Sequence, residues 1–134
     1  MQYHETTQVP NIVFDRLLPS MTLAEIKLVL VIIRQTYGWV DQRTGKRKTR
    51  DRISHGQLVK KTGLTRKTIS STIKRLVTQG VIRITDRAGA SLSQASSRKG
   101  QQALFYSFVP GPLPLGYTSR GRHISETLAA LGYT

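Results

Sequence analysis

At 134 residues the chain has the size of one domain with a real core, and its 21 Lys and Arg against 7 Asp and Glu leave a formal charge of +14. So large a positive excess points to a polyanionic partner, nucleic acid ahead of an anionic membrane surface. The absence of cysteine excludes a disulfide framework and any Cys-based zinc site, the scattered histidines lack metal-ligand spacing, and no cofactor is expected.

The first ten residues, MQYHETTQVP, are polar, lack the apolar core of a signal sequence and are expected to be unstructured as far as Pro10. Pro10 suits the first turn of a helix over residues 11–18, with Ile12, Val13, Leu17 and Leu18 on its apolar side, Phe14 beside it and Pro19 ending it. So short an amphipathic helix reads as a lid on the core, with a dimer contact as the alternative. Thr22 and Glu25 have capping-box spacing and open the next helix, LAEIKLVLVIIRQTYG, which Gly38 is expected to close. Apolar residues occupy most of its sides between Leu23 and Ile33, so it reads as a core helix packed on several faces. Glu25 and Lys27 interrupt that run, which falls well short of the roughly 18 to 20 apolar residues that span a bilayer, and a cytoplasmic location is expected.

From Tyr37 the composition turns to GWVDQRTGKRKTRDR, with Arg43, Lys46, Arg47, Lys48, Arg50 and Arg52 around a Thr44-Gly45 turn. Such a loop suits a phosphate backbone, although basic runs are often merely solvated. Trp39, directly after the core helix, is expected to pack against it rather than to stack on a base.

Arg52 and Ile53 suggest a short strand, and residues 53–84 then carry two short helical patterns joined by a Gly-centred turn. Ser54 and Gln57 form a capping box ahead of Leu58 and Val59, and Gly63 breaks that helix. Thr65 is the next N-cap, after which Ile69, Ile73, Leu76 and Val77 recur at helical spacing until Gly80. At about 100° per residue, Ile69, Ile73 and Leu76 fall on one side. Lys67, Ser70, Ser71 and Lys74 fall on the other, flanked by Arg66 and Arg75, and no acid occurs between Asp51 and Asp86. Arg and Lys pair with guanine edges or phosphates, Ser and Thr contact either, and small side chains let a helix lie close in a major groove.

This is the pattern of a recognition helix, against the blander reading of a solvated surface helix. Arg66, Lys67, Ser70, Ser71 and Lys74 are the expected base contacts. Arg47, Lys48, Arg50, Ser54, Thr65, Thr68, Arg75, Arg87, Arg98 and Lys99 are the expected contacts to the DNA backbone.

Val81, Ile82 and Ile84 suggest a strand to about Thr85, and residues 103–109, ALFYSFV, its return partner. Between them DRAGASLSQASSRKGQQ is a poor strand and a poor core. It is expected to be a mobile hairpin tip that offers Arg87, Arg98 and Lys99 to a minor groove or to phosphates, with a long disordered loop as the alternative. Past Pro110, PGPLPLGYTSRGRH reads as a linker, and HISETLAALGYT as a last helical turn or two that either folds back or meets a partner. The fold expected is mainly α with a small β-hairpin (α+β), a winged helix-turn-helix over residues 1–109 followed by a linker and short helix over 110–134. No nucleophile and base pair, Gly-rich phosphate loop or closely paired carboxylates are recognisable, so an enzyme is not expected.

Over about residues 7–85 the chain resembles the N-terminal DNA-binding domain of the phage replication protein O family, the lambda-type replication initiators. The specific part lies in Gln8-Val9-Pro10-Asn11 with Phe14-Asp15, and in Arg34-Gln35-Thr36-Tyr37-Gly38-Trp39. The stretch DRISHGQLVKKTGLTRKTISSTIKRLVTQGVI is shared with many winged-helix regulators. The resemblance implies a winged helix that binds repeated sites (iterons) in double-stranded DNA at a replication origin, usually as a homodimer. It also implies a separate C-terminal region that recruits the replicative helicase, for which residues 110–134 are too few. A winged-helix transcriptional regulator on a promoter operator is the rival, because its local motif would be the same.

Overall fold

Capping decides where the main helices begin. Thr22 accepts the Glu25 N–H at 3.2 Å while the Glu25 carboxylate accepts the Thr22 N–H at 2.9 Å, opening α1, Leu23–Gln35. Ser54 and Gln57 repeat the exchange at 3.1 and 2.8 Å for α2, His55–Thr62. Thr65 accepts the Thr68 N–H at 3.2 Å and starts α3, Arg66–Thr78. Helix ends follow from glycine: Gly63, at φ 74°, stops α2, and three residues separate α2 from α3. Gly80, also at φ 74°, lets the N–H groups of Gly80 and Val81 bond to the carbonyls of Val77 and Leu76, both at 3.0 Å.

The structure, a computed structural model, describes residues 5–36, 42–101 and 103–109. The expected roles of Gly38 and Trp39, and the linker and helix over 110–134, lie outside the described residues. α1 in fact ends at Gln35, where Thr36 leaves the helical region at φ −129° and ψ −94° while its hydroxyl donates to the Ile32 carbonyl at 2.6 Å. The N-terminal helix is also less regular than expected. It is a π-turn, Val13–Leu17, followed by a 3-10 turn, Leu18–Ser20, and Pro19 sits inside the second turn instead of ending the first. A proline lacks the N–H that only later helical positions need, so the new turn tolerates it near its start. Before it, residues 5–10 form no helix or strand, yet Val9 packs on the core.

Three antiparallel strands, β1 (Asp51–Arg52), β2 (Ile82–Thr85) and β3 (Phe105–Phe108), pair in the order β1-β3-β2. Tyr106 lies opposite both Asp51 and Ile84, and strand alternation turns Tyr106 and Phe108 to the core and Phe105 and Ser107 away. β1 begins and ends one residue earlier than expected, and Ile53, only 2% exposed, follows it into the core with its N–H on the Leu104 carbonyl at 3.3 Å. α1 packs on α2, α3 and β3, so that Leu28, Val29, Ile32 and Ile33 meet Leu58, Ile69, Ile73 and Leu76 in one cluster. It is buried on one broad face only, since Leu23 and Leu30 remain exposed.

The wing departs most from expectation. Asp86 closes a turn by accepting the Gly89 N–H on its carbonyl and the Ala90 N–H on its carboxylate, and Gly89 takes φ 95°. The chain then runs back along β2, with Ser91 bridged to Thr85 and the Leu92 N–H on the Ile84 carbonyl at 2.8 Å. Leu92 is buried, and a short helix, α4 (Ala95–Arg98), leads on to β3. A free hairpin tip is therefore replaced by a pinned return. One apolar residue in a polar run supplies the burial that anchors it. The architecture is α+β, mainly helical with a small antiparallel sheet, as in a winged helix-turn-helix.

Candidate nucleic-acid interface

Burial divides α3 as its spacing predicts. Ile69, Thr72, Ile73 and Leu76 are inside, and Arg66, Lys67, Ser70, Ser71, Lys74 and Arg75 are exposed. Thr72 is the addition: its hydroxyl donates to the Thr68 carbonyl at 2.6 Å, which satisfies a polar group on the inner face.

An open groove of about 590 Å³ runs between the outer face of α3 and the wing. Lys67, Ser70, Ser71 and Lys74 line one side of it, and Ala95, Arg98 and Lys99 the other. No carboxylate lines it, so the cations of two separate segments add to one positive field. The structure thus brings four of the five expected base contacts together with two of the expected backbone contacts. Arg66 stands at the start of α3, its guanidinium near Gly56 at the start of α2.

Most of the other expected backbone contacts have partners within the protein. The hydroxyls of Ser54 and Thr65 are engaged as helix caps, and Thr65 also donates to the Thr68 hydroxyl at 3.0 Å. Arg75 donates to the Thr72 hydroxyl, Lys48 pairs with Asp51 at 2.8 Å, and Arg47 donates to Gln8. Arg87 is exposed at the wing turn, and its carbonyl is used by Arg50.

Arg50 differs most from its expected role. Its guanidinium donates to the Thr85 hydroxyl (3.2 Å) and to the carbonyls of Asp86 (2.8 Å) and Arg87 (3.1 Å), and lies 4.5 Å from the centre of the Phe105 ring. It ties the basic loop to the wing turn. Arg98 likewise donates to the carbonyls of Leu92 and Ser93, which fixes its position on the groove wall.

Among the groove residues that were not expected from the sequence are His55 and Tyr106. The imidazole Nε2 of His55, at the first position of α2, is 3.3 Å from the Ser70 hydroxyl. Burial first, and then the charge of Arg66, hold its imidazole below the usual histidine range, which favours the neutral ring beside Ser70. The only advance signal was its place directly after the Ser54 cap. Tyr106 is fully buried in the middle of β3 and lines the groove, and its hydroxyl has no hydrogen-bond partner among the described residues. Burial pushes its phenol up to about 12, with the positive charge of Arg98 opposing. Strand alternation could have turned it inward on paper, but not shown what lay above it.

Among the described residues no group of His, Cys, Asp or Glu could hold a metal ion, and no helix is long and apolar enough to cross a membrane. Residues 4–96 match the family described as bacteriophage replication protein O. Neither a curated protein nor a solved structure matches the chain. A family match over most of the length, with a winged helix-turn-helix and an acid-free cationic groove beneath it, makes the chain a member of the bacteriophage replication protein O family, with a DNA-binding role in replication initiation.

Proposed function

We propose that the chain recognises repeated sites in duplex DNA at a replication origin, with the start of α3 in the major groove and the wing on the adjoining backbone. The observation that supports this most is the shared groove: the exposed polar face of α3 and the cations of the wing border one acid-free channel. Arg66, Lys67, Ser70, Ser71 and Lys74 read bases, whereas Arg98, Lys99 and the Arg47 to Lys48 loop position the protein on phosphates. Binding, not catalysis, is the activity of this domain, in the host cytoplasm where the origin lies.

Pairing of two copies on adjacent repeats belongs to the same proposal. Phe14, Leu18, Leu23 and Leu30 expose apolar side chains, the last two on the side of α1 turned from the core, and such a surface suits a second copy. Family membership favours the origin over a promoter operator, and helicase recruitment is left to regions beyond the groove.

Alanine variants of Arg66, Lys67, Ser70, Ser71 and Lys74 test the assignment on the cognate duplex and on singly substituted duplexes, after circular dichroism shows each folded. Removing a base-reading side chain at Arg66 or Lys67 is expected to cost about 1 to 3 kcal/mol and to relax preference at one base pair. Uniform weakening with discrimination intact in all five would move specificity to the wing or to DNA shape. Footprints confined to a promoter would favour the regulator instead.

A further inference from the structure

His55 has no role in the reading above, although it stands where a ligand in the groove would meet it. It opens α2, lines the groove and is half-buried, and its Nε2 lies 3.3 Å from the hydroxyl of Ser70, one of the side chains assigned to base reading. In a helix-turn-helix the second helix enters the major groove and the first crosses the sugar-phosphate backbone. A side chain of α2 that reaches the outer face of α3 therefore sits between bases and phosphates. The charges around it are positive. Arg66 brings its guanidinium to Gly56, the residue after His55, while Lys67 and Lys74 border the same groove from α3 and Arg98 and Lys99 from the wing. Among the described residues no carboxylate lines the groove, and Asp51 of β1, the acid nearest in sequence, is held by Lys48 at 2.8 Å.

In the free protein, partial burial and then Arg66 keep the ring neutral. A phosphate in the groove reverses that balance, since it offsets the neighbouring cations and offers an acceptor to a charged N–H. We propose that His55 is a further DNA contact that meets a backbone phosphate as the imidazolium, so that the protein takes up one proton from solvent when the contact forms. This rests on the DNA-binding reading and deepens it. Both nitrogens of an imidazolium donate, so one serves the phosphate while the other keeps Ser70. Because the bound ring holds its proton to higher pH than the free ring, affinity rises as pH falls through the bound-state midpoint. It levels off below the free-state midpoint, which itself lies under the usual histidine range.

His55→Gln keeps a hydrogen-bonding side chain without the charge and leaves His4 and His123 in place, so the difference between the two proteins belongs to His55. Wild-type affinity for the cognate duplex is expected to rise roughly tenfold from about pH 8 to about pH 5.5, the order of one charge-assisted hydrogen bond. Folded His55→Gln should lose that rise. The wild-type slope of log affinity against log salt should steepen by about one over the same interval, as one more cation meets a phosphate, and the variant's should not.

NMR titration of the His55 ring in the wild type, free and on the duplex, needs no variant and should place the midpoint higher in the complex. A duplex series carrying one neutral methylphosphonate at each position in turn then locates the partner: at one phosphate the wild type should lose its pH dependence. A bound midpoint no higher than the free one overturns the proposal, as does a pH dependence kept whole in His55→Gln or surviving at every methylphosphonate. Failure of the wild type to bind any duplex at any pH would instead overturn the DNA-binding reading beneath it.

Discussion

At the scale of single residues, charge alone does not identify a DNA contact. Arg50 and Lys67 are both cations near the helix-turn-helix, but Arg50 is spent on three acceptors of the wing turn and the face of Phe105, whereas Lys67 is exposed on the groove. Arg50→Ala should therefore lower stability, by about 1 to 3 kcal/mol for a half-buried charged donor group, whether or not DNA is present. Arg50→Lys should restore little, because one ammonium cannot reproduce the planar fork that reaches carbonyls of successive residues. Thermal denaturation of both variants reads this. Wild-type melting by Arg50→Ala with weakened DNA binding would return Arg50 to the phosphate contacts.

At the scale of elements, the wing is positioned by very little. Its return depends on the Asp86 turn, the bond from Leu92 to Ile84 and the burial of one leucine, while α1 to α3 share an extensive apolar cluster. Leu92→Ala should accordingly unpin the wing before it unfolds the domain. Truncating a buried leucine typically costs about 2 to 5 kcal/mol, but local opening of a weakly held segment caps the loss. Hydrogen exchange is expected to accelerate at the amides of Ala90, Leu92 and Lys99 while those inside α1 keep their protection. Equal acceleration throughout would show that wing and helices form one cooperative unit.

For the whole molecule, the excess of cations makes affinity a function of salt. With a formal charge of +14 and a groove bordered by lysines and arginines from α3 and α4, contact with about six phosphates gives a slope near −5 in log affinity against log salt. Titration by fluorescence anisotropy across a range of sodium chloride concentrations measures it. A slope near zero would remove the phosphate clamp altogether. The same measurement on random duplex should give a similar slope, since phosphates are common to both, leaving discrimination as a vertical offset between the two lines.

What the amino-acid sequence determined by itself was local. The Thr22/Glu25 and Ser54/Gln57 boxes, the Thr65 cap, the left-handed glycines at 63 and 80 and the inner stripe of α3 each depend on residues within a few positions of one another. Helical period and capping act over such distances, so they could be read directly. The pairing of β1 with β3, the use of Arg50 and the burial of Leu92 join residues separated by tens of positions, or depend on a single anchor. They depend on which surfaces the packed helices leave available, and the groove, with Tyr106 at its floor, exists only once β3 has been laid beneath α3 and α4 has been brought opposite it.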